Sequence, residues 1–362
     1  MNLHVSFSCP FNINSLTSNK HTFQVDVVIL NYNTKDILAQ CLPQVIEFSQ
    51  QPWVNIVVAD NNSTDGSADF IATEFPGIEL IRLEENTGFA GGYNRALEGR
   101  TADYFVLLNS DAEPVNELWL HELIDLALRH PNLGAAQPHL LDYKFKNQEL
   151  KKFEYAGAAG GFLDHFGFPF CRGRIFGNVE FNQNQYSTEM SIFWATGAAM
   201  FVRREAWEKA GGLDESFFAH MEEIDLCWRM QTLGYEVISC PKAQVYHIGG
   251  ATLSNQNPRK TFLNFRNGLM MLHKNLPTSS RNALILKRKL FDGLAGLFFL
   301  IQGKPKHTIQ IIKAHQEFDR LKSSLSLNLN AKPLNQLNGV LNHSLVIGYF
   351  FKGKKLWSSW FK

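Results

Sequence analysis

Four groups of residues in this sequence carry side chains of the kind that chemistry uses. The first closes the run Tyr104-Phe105-Val106-Leu107-Leu108-Asn109-Ser110-Asp111, where five apolar residues give way to three small polar ones. Such a run reads as a strand buried on both faces, and open α/β sheets bind ligands at the C-terminal ends of such strands. Asp111 is thereby a carboxylate offered to a ligand crevice, unless it caps the amphipathic helix suggested by residues 118–128. The second group is Glu222-Glu223, directly after a run of large apolar residues around Phe217-Phe218, with Asp225 behind them. Acids in a first turn favour the helix dipole, and Asp225 can pair with Arg229 one turn on. That account leaves two carboxylates among apolar neighbours unexplained. The third is His247, followed by Gly249-Gly250, either a ligand or a structural histidine. The fourth is Asp60, at the end of a β-branched run, where it can accept from a base N–H or cap the helix starting near Ser67.

The elements that must position these groups are legible. Apolar runs at 25–30, 54–59, 78–83 and 104–108 each end in a polar, Asn- or Gly-rich loop and are separated by helical patterns. Strand, loop and helix in alternation imply right-handed βαβ units and a parallel sheet, with the loops lining one crevice. That is a nucleotide-binding architecture. It is neither a dinucleotide fingerprint nor a P-loop, because Asn31-Tyr32-Asn33-Thr34 follows the first strand with no glycine cradle. The glycines come after the third strand, at Gly88, Gly91 and Gly92, where they let backbone approach a ligand or permit tight turning. Residues 140–192 interleave glycine with phenylalanine and read as an irregular excursion over the open edge of the sheet. Gly234 is placed to end the helix that begins near Glu222, and a short strand is expected at 237–239.

Bulk properties narrow the classes. A chain of 362 residues holds one large α/β domain with an appendage, or two modest domains. A net charge of +1 gives no electrostatic footprint for nucleic acid. The five cysteines form no close pairs, so neither a zinc site nor a disulfide framework is expected, and a reducing cytoplasm is the default. The polar, Asn/Ser-rich start reads as a loose arm rather than a signal peptide. No run of about twenty apolar residues predicts a spanning helix. Beyond residue 275 the character changes: Lys287-Arg288-Lys289 precedes an apolar dozen, and the tail from Tyr349 interleaves aromatics, including Trp357 and Trp360, with lysines. Aromatics with basic residues suit an anionic membrane surface, the alternative being a helical appendage packed on the domain.

Val28-Ile29-Leu30-Asn31-Tyr32-Asn33, Asp60-Asn61-Asn62-Ser63-Thr64-Asp65-Gly66-Ser67, Asn86-Thr87-Gly88-Phe89-Ala90-Gly91-Gly92-Tyr93-Asn94, Leu107-Leu108-Asn109-Ser110-Asp111, Gly211-Gly212-Leu213-Asp214-Glu215 and His247-Ile248-Gly249-Gly250 occur in this order. Together they resemble a family 2 glycosyltransferase of the type A fold, in its rhamnosyltransferase-like branch. The resemblance implies an α/β fold, a Rossmann-like, mostly parallel sheet flanked by helices, with a C-terminal helical appendage. It covers a glycosyltransferase domain over 25–275; the loose arm over 1–24 and a C-terminal helical, membrane-associating region over 276–362, read from their composition, lie outside it. Within the domain, 25–135 is the nucleotide-binding half and 136–275 the acceptor side.

The resemblance also assigns roles. Asp111 and His247 match the positions that hold Mg²⁺ or Mn²⁺ against the diphosphate, with Asn109 standing where many relatives have a first aspartate. Asn31 and Tyr32 match residues flanking the base, and Asp60 the acid that reads a pyrimidine. Gly88, Gly92 and Asn94 match the loop beneath nucleotide and sugar. Glu222 and Glu223 fall on the motif that holds the general base of an inverting transfer. Helical spacing singles out Glu223: it shares a face with Leu226, Cys227 and Met230, whereas Glu222 shares one with Asp225 and Arg229. The expected activity moves a sugar from a UDP- or dTDP-linked donor to a cell-surface glycan or lipid-linked saccharide. The enzyme is expected in the cytoplasm, touching the inner face of the cytoplasmic membrane peripherally. A sugar nucleotidyltransferase and a catalytically silent sugar-nucleotide-binding scaffold are the alternatives.

Overall fold

Apolar runs and amphipathic stretches become strand and helix in turn. The computed structural model describes residues 23–249 and 257–360, so the arm expected over 1–24 lies almost wholly outside the described residues. From its start follow β1 (Val25–Asn31), α1 (Lys35–Glu47), β2 (Val54–Asp60), α2 (Ser67–Glu74), β3 (Glu79–Arg82), α3 (Gly88–Leu97) and β4 (Tyr104–Asn109). β1 pairs in parallel with β2 and β4, and β2 with β3. In β4, Tyr104, Val106 and Leu108 join one core with Leu38 and Leu42 of α1. Phe105 and Leu107 join the other with Tyr93 of α3. Both faces are dry, which is why the run stays apolar until the chain leaves the sheet at Asn109.

The chain continues through β5 (Ala112–Pro114), α4 (Trp119–Arg129) and β6 (Leu133–Asp142). The glycine- and phenylalanine-rich stretch that follows is more regular than its sequence suggests. It forms β7 (Gly161–Asp164), β8 (Pro169–Cys171), β9 (Arg174–Ile175) and β10 (Asn178–Val179). Glycine is needed at 161 because a Cβ there would run into the indole of Trp194.

Next come β11 (Met190–Ser191), β12 (Ala199–Arg203), α5 (Arg204–Ala210), α6 (Glu222–Thr232) and β13 (Glu236–His247). The short strand expected at 237–239 runs on as far as His247, shifted in register between Cys240 and Gln244. It runs beside β6 and carries His247 to the crevice. Among the described residues the main sheet has the order β11-β13-β6-β12-β4-β1-β2-β3, with β5 added to β13.

The remainder is α7 (Pro258–Asn275), α8 (Thr278–Ile301), α9 (Pro305–Leu321), β14 (Val340–Leu341) and α10 (Leu345–Lys352). β14 pairs with β7, so the C-terminal stretch completes the second sheet, in the order β10-β9-β8-β7-β14. The buried Asp164 carboxylate accepts from the Leu345 N–H and fixes the start of α10. Trp357 and Trp360 do not face outward as the tail's composition suggested. Both are buried, Trp357 against Phe162 at a ring separation of 4.5 Å. Of the basic triplet, Arg288 is buried with Asp292 and the Gly167 carbonyl, and Lys289 pairs with Asp319. The exposed apolar surface lies elsewhere, along Leu286, Leu290, Leu294, Leu297 and Ile301 of α8 and on Phe350 and Phe351 of α10. Among the described residues no helix is long and apolar enough to cross a membrane.

Candidate active site

The strand ends and α6 enclose a cavity of about 860 Å³, within the range of small-molecule sites. Asp111, Asn109, Tyr32, Gly88, Glu222, Glu223 and His247 all line it. Residues more than a hundred positions apart thus meet at the C-terminal edge of the sheet, where βαβ topology leaves a crevice.

The antiparallel pairing of β13 with β5 sets His247 opposite Ala112, next to Asp111. His247 Nε2 lies 3.1 Å from Asp111 Oδ1, and the Asn109 amide is 3.3 Å from the same nitrogen. The other Asp111 oxygen accepts from the Gly249 N–H at 3.1 Å. Burial alone would raise the Asp111 carboxyl, but the facing His247 outweighs it and holds the group below the usual carboxylate range. Burial acts against the His247 cation too, yet Asp111 and Glu154 push its pKa up to about 10. Asp111 and the His247 imidazole suit a divalent cation that displaces the proton Nε2 shares with Asp111. Among the described residues no three His, Cys, Asp or Glu side chains are grouped to hold a metal alone. A cation here would complete its shell with substrate phosphates and water, as Mg²⁺ commonly does.

The same cavity is lined by Glu222 and Glu223, which begin α6. Each has one buried carboxylate oxygen without a hydrogen-bond partner, and among the described residues neither is in an ion pair. Burial, then the charge of its neighbour, raises Glu222 well above the usual range, and burial raises Glu223 to about 7. Two adjacent buried carboxyls sharing little solvent behave as one coupled unit. Helical spacing misjudged which faces are dry: Glu222 is only 3 % exposed and Asp225 fully buried, with Glu223 more open than either. The reason is α7, which covers the face that reads as polar. Asp225 accepts from Asn275, Arg229 and Lys274 at 2.7, 2.9 and 3.0 Å, and so anchors α6 to α7.

The turn into α6 is strained. Phe218, His220 and Met221 all have positive φ, at 64, 71 and 75°, conformations that non-glycine residues adopt at a cost. Asn267 of α7 holds them, donating to the carbonyls of Phe217, Ala219 and His220. The Phe218 carbonyl accepts from the Phe89 N–H at the start of α3. A Cβ at Gly88, where φ is +74°, would sit 2.5 Å from that carbonyl, so glycine is required there for the junction of α3 with this turn.

Other motif residues stand behind the cavity. The Asn31 amide donates to Asp60 at 2.9 Å, and the Ser63 N–H donates to the other Asp60 oxygen at 2.9 Å. Neither Asn31 nor Asp60 is among the lining residues; Tyr32, Asn61 and Asn86 are. Gly92 makes room for Leu30. Asn94 donates to the Leu213 carbonyl and accepts from its N–H, tying α3 to the Gly211-Gly212-Leu213 turn. Sequence reading missed Glu154, whose Oε2 is 3.1 Å from His247 Nδ1, and Arg174, which lines the cavity. Neither sits in a motif, and a single charge among glycines and aromatics gives no periodic signal.

Comparison with known proteins agrees with this geometry. The model of the family described as glycosyl transferase family 2 matches residues 26–207. The N-acetylglucosaminyl-diphospho-decaprenol L-rhamnosyltransferase of Mycobacterium tuberculosis is 26 % identical over 236 residues, 61 % of this chain and 75 % of that protein. The crystal structure of S. aureus TarS 1–349 in complex with UDP-GlcNAc superposes with a TM-score of 0.52 at 15 % identity, covering 82 % of this chain and 80 % of that one. A Pyrobaculum calidifontis mannosyltransferase in complex with GDP-Man and Mn²⁺ gives 0.50 at 16 % identity, covering 82 % and 86 %. The fold is that of the type A glycosyltransferases, with α7–α9 as the helical appendage.

Proposed function

The chain belongs to glycosyl transferase family 2, and on that premise we propose that it is an inverting enzyme using a UDP- or dTDP-linked sugar. The acceptor is a cell-envelope saccharide carried on a lipid, reached at the inner face of the cytoplasmic membrane. One observation carries the reading: a single cavity is lined both by the Asp111–His247 pair and by two glutamates that each hold a buried carboxylate oxygen without a hydrogen-bond partner.

The nucleotide is assigned to the end of the cavity lined by Tyr32, Asn61 and Asn86, with Asp60 behind it to read the pyrimidine N–H. Asn109 contacts the donor beside the diphosphate, and Gly88 lets α3 close over it. When bound, Mg²⁺ or Mn²⁺ would be held by Asp111 and His247 and would neutralise charge on the departing diphosphate; the Mn²⁺ in the mannosyltransferase complex supports this. Glu223 takes the proton from the acceptor hydroxyl. The acceptor's hydroxyl oxygen then bonds to the anomeric carbon as the bond from that carbon to the phosphate oxygen breaks, and the nucleoside diphosphate leaves with the electron pair. Glu223 is chosen over Glu222 because it is the more open of the two, and burial raises its carboxyl to about 7, near where a general base works best. Glu222 then orients the acceptor by donating or accepting a hydrogen bond. The similarity to the decaprenol-linked rhamnosyltransferase supports a lipid-linked acceptor. The exposed apolar face of α8 and α10 supports contact with the bilayer.

The test is a thermal-shift screen of nucleotides with Mn²⁺, followed by transfer assays on lipid-linked saccharides. UDP or dTDP should stabilise the protein more than GDP, because only the native state binds them. Asp60→Ala should erase that difference. Equal stabilisation by all three would remove the pyrimidine assignment, and absence of transfer from every donor would remove the activity.

A further inference from the structure

We propose that Arg174 forms an anion subsite on the acceptor side of the cavity and binds a phosphoryl group carried by a lipid-linked acceptor. The identity of the neighbouring groups rests on the transferase reading above, which the inference deepens by naming the acceptor's class.

Arg174 lies on β9 in the second sheet and is 9 % exposed, with its guanidinium at the cavity wall. Its partners are poor for a buried cation. Nη2 donates to the Cys171 thiol at 3.1 Å, and the planar group stacks on the Tyr155 ring at 4.5 Å. Nε is buried with no hydrogen-bond partner, and among the described residues Arg174 is in no ion pair. A buried guanidinium normally meets a carboxylate, because a lost partner leaves its full desolvation cost. The charge of Glu154 reaches Arg174, but its Oε2 is taken up by His247 and the Ala156 N–H. Two further cations, Arg259 and Lys260 of α7, line the same cavity. Burial holds the Lys260 ammonium below the ordinary lysine range; Glu154 opposes this and the Arg174 charge adds to it. An unfilled guanidinium fork amid further positive charge is what a phosphate needs.

The position favours the acceptor over the donor. The nucleotide end is built by the loops after β1–β3, whereas Arg174 comes from β9. Arg174 and its thiol partner Cys171 both belong to the second sheet, which the C-terminal stretch completes, and not to the nucleotide-binding loops. Two residues on, Phe176 lines the cavity and packs on Tyr349 and Phe350 of α10 at ring separations of 4.7 and 5.3 Å. Phe350 in turn meets Phe298 of α8. Phe351 beside it is 81 % exposed and continues the apolar face. An anion site followed by an apolar ramp leading outward fits an amphiphile, with its diphosphate at Arg174 and its chain over Phe176.

The experiment measures binding to the full-length protein by calorimetry, using farnesyl diphosphate, inorganic pyrophosphate and UDP with Mn²⁺. Arg174→Gln should weaken farnesyl diphosphate roughly tenfold or more and leave UDP within about twofold, with Arg174→Lys between wild type and Gln. Phe176→Ser should weaken farnesyl diphosphate but not pyrophosphate. Unchanged farnesyl diphosphate affinity in Arg174→Gln would overturn the subsite. A parallel loss of UDP would make Arg174 a donor group instead. Equal affinities for the two diphosphates, unmoved by Phe176→Ser, would overturn the lipid assignment. If Arg174→Gln fails to fold, Arg174→Lys carries the test, since a point charge without the fork should still bind the probe less tightly. No donor or turnover is involved, so a failure of the transfer assay leaves this result standing.

Discussion

Nδ1 of His247 lies 3.1 Å from Oε2 of Glu154, while its Nε2 lies 3.1 Å from Oδ1 of Asp111. The approach of Glu154 is an ion-pair contact rather than an aligned hydrogen bond, and it turns the far nitrogen toward Asp111. Carboxylates behind a ligating histidine commonly fix the ring in this way.

Removing that support should loosen the cation. Glu154→Gln is expected to weaken Mn²⁺ binding in the presence of UDP by roughly 10- to 100-fold, read as a Kd by titration calorimetry. An unchanged Kd would remove the positioning role.

The two glutamates should dominate the pH behaviour. With Glu223 raised to about 7, kcat/KM is expected to climb with pH up to that region and level off above it. Glu223→Gln should lose roughly 10²–10⁴ in kcat and keep its donor affinity, while Glu222→Gln should lose less. A dead Glu222→Gln beside an active Glu223→Gln would reverse the assignment.

The same pair should depress stability. Because their folded pKa values lie above the ordinary glutamate range, the native state holds more protons than the unfolded one between about 4.5 and 7. The ligand-free protein should therefore lose stability as pH rises through that window. Glu222→Gln should raise Tm at pH 7.5 by roughly 2 °C or more and show a smaller gain at pH 5. Differential scanning calorimetry at the two pH values checks the sign.

Asn267 should matter to catalysis without touching substrate. Its amide holds three carbonyls of the strained turn before α6. Asn267→Ala is expected to cost about 2–3 kcal/mol in urea unfolding and to lower kcat more than donor affinity. Its pH–rate limb should move as well, since Glu223 would no longer be held in place. A stability loss with an unshifted limb would mean that the residue serves folding alone.

The apolar face of α8 should bind bilayers. Leu290 and Ile301 are 66 % and 76 % exposed, and Lys304, Lys306, Lys352 and Lys355 are exposed at or beyond the ends of α8 and α10. Co-sedimentation with anionic vesicles should fall as salt is raised. Leu290→Glu with Leu294→Glu should cut it severalfold at low salt. Retention of the double variant on vesicles would argue against this face.

The sequence by itself determined the sheet and its ligand edge. Strands such as β4 are apolar on both faces because both are buried, and the handedness of βαβ units then sends the ends of β1–β4 to one side. Asp111, Glu222, Glu223 and His247 could be picked out because each ends or begins a local pattern. What only the tertiary structure decided is who covers whom. Helical spacing describes the faces of α6 but not that α7 buries the polar one, so it ranked the exposure of Glu222 and Glu223 wrongly. Asn94 and Gly92 sit in a ligand-like motif, yet their partners are Leu213 and Leu30. Trp357 and Trp360 look like membrane anchors until the second sheet, completed from 177 residues downstream by the pairing of β14 with β7, gives them a core. Glu154, Arg174 and Asn267 acquire their roles solely from contacts between distant segments. Periodicity encodes each element's own geometry, whereas burial and charge pairing depend on neighbours that the chain brings together only on folding.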